Sequence, residues 1–162
     1  MKQLRSHRIV KARPRLGWRE WVALPRLGIP RLKAKIDTGA RTTALHAEEI
    51  EEDGEYTTFV LPFLDGRPRV RAVRVDQRAI KNTSGVPEER HVVRTALILG
   101  RQRYPIEVSL TSRANMAFEM ILGRTAMRSG HFVVDPAKSF LQGEPRARRR
   151  KPPPAGDRKT AR

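Results

Sequence analysis

The tetrapeptide Asp37-Thr38-Gly39-Ala40 has the residue types and order to do chemistry. An Asp that ends an alternating strand and is followed by a small hydroxyl residue and Gly presents its carboxylate on a tight loop. Gly39 gives the backbone conformational freedom and leaves room for close approach, and the Thr38 hydroxyl can hold the loop by bonding to nearby backbone. Asp, Thr and Gly also favour ordinary strand-end turns, so the tetrapeptide alone does not choose between a site and a turn. Other chemistries lack their residues. The 162-residue chain has no cysteine, which removes disulfides, thiolate metal sites and cysteine nucleophiles. His7, His46, His91 and His131 are scattered, without HExxH or any metal-ligand spacing, and GxxxxGK[ST] is absent. No cofactor and no metal is therefore expected.

The elements that must position Asp37 read as short strands separated by turns. Residues 18–24 form a strand candidate closed by Pro25, Gly28 and Pro30. Leu32–Ile36 alternates apolar and basic residues with period two and runs straight into Asp37. Thr42–His46 is a second short strand, and the acidic segment 48–55 reads as a loop. Tyr56–Leu64 and Arg67–Val75 flank Asp65-Gly66, a strong hairpin signal. Lys81–Arg90, with Gly85 and Pro87, reads as a loop. His91–Leu99, Tyr104–Leu110, Met120–Leu122 and Phe132–Val134 are further strands, and Arg124–Arg128 is a short helix ended by Gly130. Many short strands at near-even spacing predict a compact β-barrel or sandwich with little helix.

The formal charge is +17, and most of it is terminal. Residues 1–16 carry six basic groups and no acid, and residues 143–162 carry eight basic groups against two acids. Three units are expected: a basic disordered tail (1–16), a folded domain (17–142) and a Pro/Arg-rich disordered tail (143–162). Such tails suit a polyanion such as nucleic acid, or serve solubility alone. No run approaches the roughly 20 apolar residues of a membrane span. The basic N-terminus lacks an apolar core segment, so a cytoplasmic protein is expected.

The order of these features resembles retropepsin-like aspartic peptidases. In their lobe, an Asp-Thr/Ser-Gly-Ala loop is followed by a hydrophobic–hydrophobic–Gly strand crossing behind it, then by a short helix. Here the series is AKIDTGA (34–40), a hairpin to serve as a flap (56–75), MILGR (120–124) and the helix. More specifically, KAKIDTGARTTALHA (33–47), IKNTSG (80–85), ERHVVRT (89–95), SLTSRANMAFEMILGR (109–124) and FVVDP (132–136) resemble the bacterial RimB-type family, historically labelled ATP-dependent zinc proteases. The residues give neither the zinc nor the ATP half of that older label any support.

The resemblance implies a mainly β, single-lobe acid-protease barrel with one short helix. It implies Asp37, Thr38 and Gly39 as the catalytic loop. Ala40, Arg41, Thr42, Ser84, Gly85, Arg90 and Arg113 would contact substrate, and Ile121, Leu122, Gly123 and Arg124 would stand behind the loop. Aspartic peptidases use two carboxylates sharing a proton across one water. Asp53, Asp65, Asp76, Asp135 and Asp157 lack the same framing, so the second Asp37 would come from another copy in a homodimer. RimB-type proteins are associated with a glutamate ligase that extends a ribosomal protein, so an acidic, poly-glutamate substrate is implied. Arg71, Arg74, Arg94 and the cations named above would pair with its carboxylates. The expectation is thus a homodimeric aspartic endopeptidase. Its alternatives are a catalytically inactive module docking on ribosome or RNA through its tails, and, third, a metalloprotease.

Overall fold

The computed structural model describes residues 11–81 and 85–146. In chain order its elements are β1 (Arg15–Leu16), β2 (Arg19–Leu24), β3 (Ile29–Ile36), β4 (Thr43–His46), β5 (Glu48–Asp53), β6 (Tyr56–Val60), β7 (Arg69–Lys81), β8 (Pro87–Leu99), β9 (Gln102–Thr111), β10 (Met120–Leu122), α1 (Arg124–Ser129) and β11 (Val133–Val134). The protein is mainly β, with one short helix among the described residues, as the spacing of its turns predicts.

Period-two alternation builds the core. On β3, Leu32, Ala34 and Ile36 are buried while Arg31 and Lys35 face out, and on β9 Ile106, Val108 and Leu110 are buried between exposed Pro105 and Glu107. The strands run in the order β2-β3-β10-β4-β9-β8-β7-β6-β5. Pairing of Val22 with Leu99 and of Ala23 with Ile98 joins β2 to β8 and closes six strands into a barrel. β7, β6 and β5 continue beyond β8 as an extension whose free edge is β5.

Three expectations are corrected here. The acidic segment 48–55 is not a loop: Glu48–Asp53 pairs with β6 and turns back at Gly54, whose φ is 60°. Its acids are held across the sheet by arginines of β7 and of the turn before it. Arg67 reaches Glu48 (2.7 Å), Arg71 reaches Asp53 (3.0 Å) and Arg74 reaches Glu52 (2.8 Å). Lys81–Arg90 is not a loop either, since β7 runs to Lys81, β8 starts at Pro87 and backbone pairing continues to that point. The hairpin around Asp65-Gly66 is looser than a two-residue turn. Its ladder ends at Val60 opposite Arg69, and positive φ falls on Gly66 and Arg67 rather than on Asp65.

The folded unit begins at β1, which pairs in parallel with β11, and Leu16 is fully buried. At the other end, residues 138–146 strap across β2. Trp18 N–H donates to the Lys138 carbonyl, Phe140 N–H to that of Arg19, and Arg146 N–H to that of Gly100. Glu20, wholly buried, fastens this strap by accepting from Gly17 N–H (2.8 Å) and Leu141 N–H (2.9 Å) on Oε1 and from Gln142 N–H (3.2 Å) on Oε2. The expectations for residues 1–10 and 147–162 lie outside the described residues.

Candidate active site

The Asp37 loop is pinned from behind, mostly by backbone. β10 lies between β3 and β4, parallel to one and antiparallel to the other, and Asp37 N–H donates to the Leu122 carbonyl (3.0 Å). Gly123 then passes so close to the loop that a Cβ on it would sit 2.5 Å from the Thr42 carbonyl carbon and oxygen. The α1 end closes the corner: Arg124 N–H donates to the Ala40 carbonyl (2.9 Å) and Thr125 N–H to that of Arg41 (3.1 Å). Arg124 also lays its Nη1 on the carbonyls of Thr38 (3.1 Å) and Gly39 (2.9 Å). The Asp37 carboxylate itself accepts from Gly39 N–H (3.0 Å) and Ala40 N–H (3.1 Å), both on Oδ1.

In front of this loop lies a groove of about 1360 Å³. Of the residues singled out in the sequence, Asp37, Gly39, Ala40, Arg41, Thr42, Arg90, Arg94, Arg113 and Ile121 line it. Thr38 contributes its carbonyl to Arg124 and lies off the lining. Leu122 and Gly123 are buried behind the loop, and Arg124 acts on it from the rim. Gly85 is exposed and outside the lining; Ser84 lies outside the described residues.

Register shows how the floor is laid. Lys35, Ile121, Ala44, Ser109 and Val92 pair in one lateral row across β3, β10, β4, β9 and β8. Beside that row Arg94 stands opposite Glu107. Ala44, Ser109 and Val92 give the row a floor of small or apolar side chains. No sequence signal marked them as groove residues, since each sits on a strand otherwise read by its opposite, core-facing partners.

The cations of the groove differ in what they already hold. Arg90 has a side chain only 13% exposed and places Nε and Nη2 on Glu88 Oε2 (3.1 and 3.0 Å), so it is largely neutralised. Arg113 is fixed differently: its Nε donates to the Phe118 carbonyl (3.0 Å) and its backbone N–H to His46 Nδ1 (2.8 Å). The terminal nitrogens of Arg113 carry no further hydrogen bond among the described residues. Burial and the nearby Arg90 charge lower its pKa, against the opposing pull of Glu119 and Asp37. Glu119 Oε2 is itself buried without a hydrogen bond. Arg41 stands exposed on the groove lining, two residues beyond Gly39.

Two expected assignments fail. Arg71 and Arg74 point to Asp53 and Glu52 on the outer extension, away from the groove, so they cannot serve it. The hairpin beside the groove is β7–β8, because Glu88, Arg90, Val92 and Arg94 of β8 line it; the 56–75 hairpin expected as a flap contributes nothing to the lining. The acid–arginine ladder directs that hairpin towards β5 instead.

Residues 15–145 match the family model described as retropepsin-like aspartic endopeptidase RimB. Three curated relatives are each named probable alpha-L-glutamate ligase. Those from Parasynechococcus marenigrum and Shewanella pealeana are 40% identical, and that from Desulfotalea psychrophila 43%, over 137 residues and 80% of this chain. The match spans only 29–30% of those relatives' own length. A solved Legionella pneumophila protein of unknown function superposes with a TM-score of 0.72 at 30% identity, over 81% of this chain and 99% of its own. The ligase names correct the function expected from the sequence. At about 40% identity the relatives are named neither as a homodimeric endopeptidase nor as an inactive docking module, but as enzymes of glutamate ligation.

Proposed function

The chain belongs to the RimB-like family, and from that membership we propose that it is an enzyme domain of α-glutamate-chain chemistry. In this reading the groove holds a glutamate-bearing chain, with side-chain carboxylates on Arg113 and Arg41 and a backbone amide at Asp37. One observation carries it: the pinned Asp37 carboxylate shares a single groove with a half-buried arginine whose terminal nitrogens hold no hydrogen bond among the described residues. A guanidinium fork suits bidentate carboxylate binding, and partial desolvation strengthens such a pair. The relatives' ligase name supplies the class of chain.

Asp37 would serve as the base at the amide, taking a proton from the water that attacks the carbonyl and passing it to the nitrogen that leaves as the amide C–N bond breaks. What supports an aspartic type is the family description together with the Asp-Thr-Gly loop. A homodimer belongs to the proposal as the partner expected of the chain. A cytoplasmic setting fits a sequence without cysteine.

The test is titration of labelled tetraglutamate against the wild-type chain, Arg113→Gln and Asp37→Asn, with glutamate-chain length followed by mass spectrometry and solution mass by light scattering. Arg113→Gln should weaken binding about tenfold, the loss of one charged, partly buried hydrogen-bonding partner. Asp37→Asn should keep binding and abolish any change in chain length. Tetraglutamate that fails to bind, or binds equally well to Arg113→Gln, refutes the reading.

A further inference from the structure

The outer face of β2–β3 carries a built array of cations, of which only Lys35 lines the groove. Register sets Arg19 opposite Lys35 and Trp21 opposite Lys33, so these four side chains share one face with Arg31. The opposite face holds Val22, Leu32, Ala34 and the buried Glu20, and goes to the core. The cations are templated by rings. The Arg31 guanidinium lies 3.5 Å over Trp21, with Lys33 Nζ 5.5 Å from the same ring, and Trp21 stacks on Phe140 at 5.0 Å. Arg19 in turn lies over Phe140 (5.0 Å) and Trp18 (4.6 Å). A guanidinium held over a ring has lost much of its rotamer freedom in advance and keeps N–H donors for a planar anion.

One carboxylate already sits there. Glu144, from the C-terminal strap, takes Arg31 as a fork, with Nε to Oε2 and Nη2 to Oε1 both at 2.8 Å. Both side chains remain about half exposed, so the pair can open. At the other end of the array Lys35 lines the groove itself. On β3 the cations Arg31, Lys33 and Lys35 recur every second residue, roughly 6.6 Å apart. An extended chain of glutamates repeats its same-side carboxylates at that spacing.

We propose that this face is a second binding site for a glutamate-rich chain, continuous with the groove. A chain leaving the groove past Lys35 lays successive carboxylates on Lys33 and Arg31, with Arg19 alongside, and displaces Glu144 from Arg31. The inference rests on the glutamate-chain reading of the groove. Single-stranded nucleic acid fits less well, because Arg31, Arg19 and Phe140 already engage the rings on which bases would stack.

The experiment compares labelled tetraglutamate with dodecaglutamate on the full chain at low salt, in wild type, Arg31→Gln/Lys33→Gln and Glu144→Gln, with thermal unfolding as a check on the fold. The double variant should bind dodecaglutamate roughly fivefold more weakly and tetraglutamate unchanged. Glu144→Gln, which removes the internal competitor, should strengthen dodecaglutamate alone. Equal effects on both lengths, no effect on the longer one, or no binding of the longer one to wild type overturn the proposal. If tetraglutamate does not bind but dodecaglutamate depends on Arg31 and Lys33, the groove reading fails and this face stands. A twelve-residue oligouridylate that loses affinity in the double variant, where dodecaglutamate does not, assigns the face to nucleic acid and also overturns it.

Discussion

Replacing Glu20 separates the strength of the C-terminal strap from the rest of the barrel. Its carboxylate is wholly buried and is the acceptor for three backbone N–H groups, two on Oε1 and one on Oε2. Glu20→Gln can keep the amide oxygen at the Oε1 position and so retains the bonds to Gly17 and Leu141. It sets an NH2 against Gln142 N–H, at a cost of about 1–2 kcal/mol for one lost bond. Glu20→Met fills the same volume but leaves all three N–H groups unpaired. At about 1–3 kcal/mol per buried orphan donor, less what is regained by no longer burying a charge, its cost is about 3–5 kcal/mol. For a chain of this size 1 kcal/mol moves Tm by about 2–4 °C, so the two variants should differ by several degrees. Urea denaturation gives the free energies. Amide hydrogen exchange adds the location, with Leu141 and Gln142 losing protection in Glu20→Met before the barrel strands do. A Glu20→Met no less stable than Glu20→Gln refutes the reasoning, because the bonds to Gly17 and Leu141 that Gln keeps would then contribute nothing.

Two further perturbations bear on the site and on its support. Gly123→Ala should cost about 1–3 kcal/mol and weaken tetraglutamate binding as well, because the added carbon meets main chain at Thr42 and Arg41, which cannot rotate away; a thermal melt and the titration check both. Tyr104 donates to the Ala126 carbonyl (3.0 Å), and burial raises its pKa above the ordinary value of about 10. The unfolded chain therefore ionises this group first, so its contribution is intact below about pH 10 and falls as pH rises further. The urea midpoint should drop between pH 9 and 11 by less in Tyr104→Phe than in wild type, and equal drops would refute the assignment.

The barrel was legible because its strands alternate. Leu32–Ile36 and Tyr104–Leu110 announce buried faces by period two, His91–Leu99 by its apolar run, and each lies within the strand the structure shows. What the pattern hides is pairing that depends on charge or on backbone alone. Glu48–Asp53 has one apolar residue, Ile50, and no alternation to read, yet it is a strand because four arginines cross β6 to hold it. The outer parts of β7 and β8, up to Lys81 and from Pro87, extend by backbone bonds whose residues read as turn formers.

The same distinction governs the site. The loop and the strand behind it were legible as a motif, since only glycine fits at Gly123 and the sequence places one there. The arginines were not, because a cation's role is fixed by what it already holds. Arg71, Arg74 and Arg113 are alike in sequence, each flanked on both sides by an apolar or small residue. Two meet acids about twenty residues upstream, where exposed ion pairs contribute little and leave no charge to offer. The third is tied through Nε to a carbonyl, which fixes its direction without consuming its charge. A guanidinium oriented by a neutral acceptor and half withdrawn from water is the arrangement that discriminates a carboxylate from a neutral side chain, and in this groove Arg113 has it.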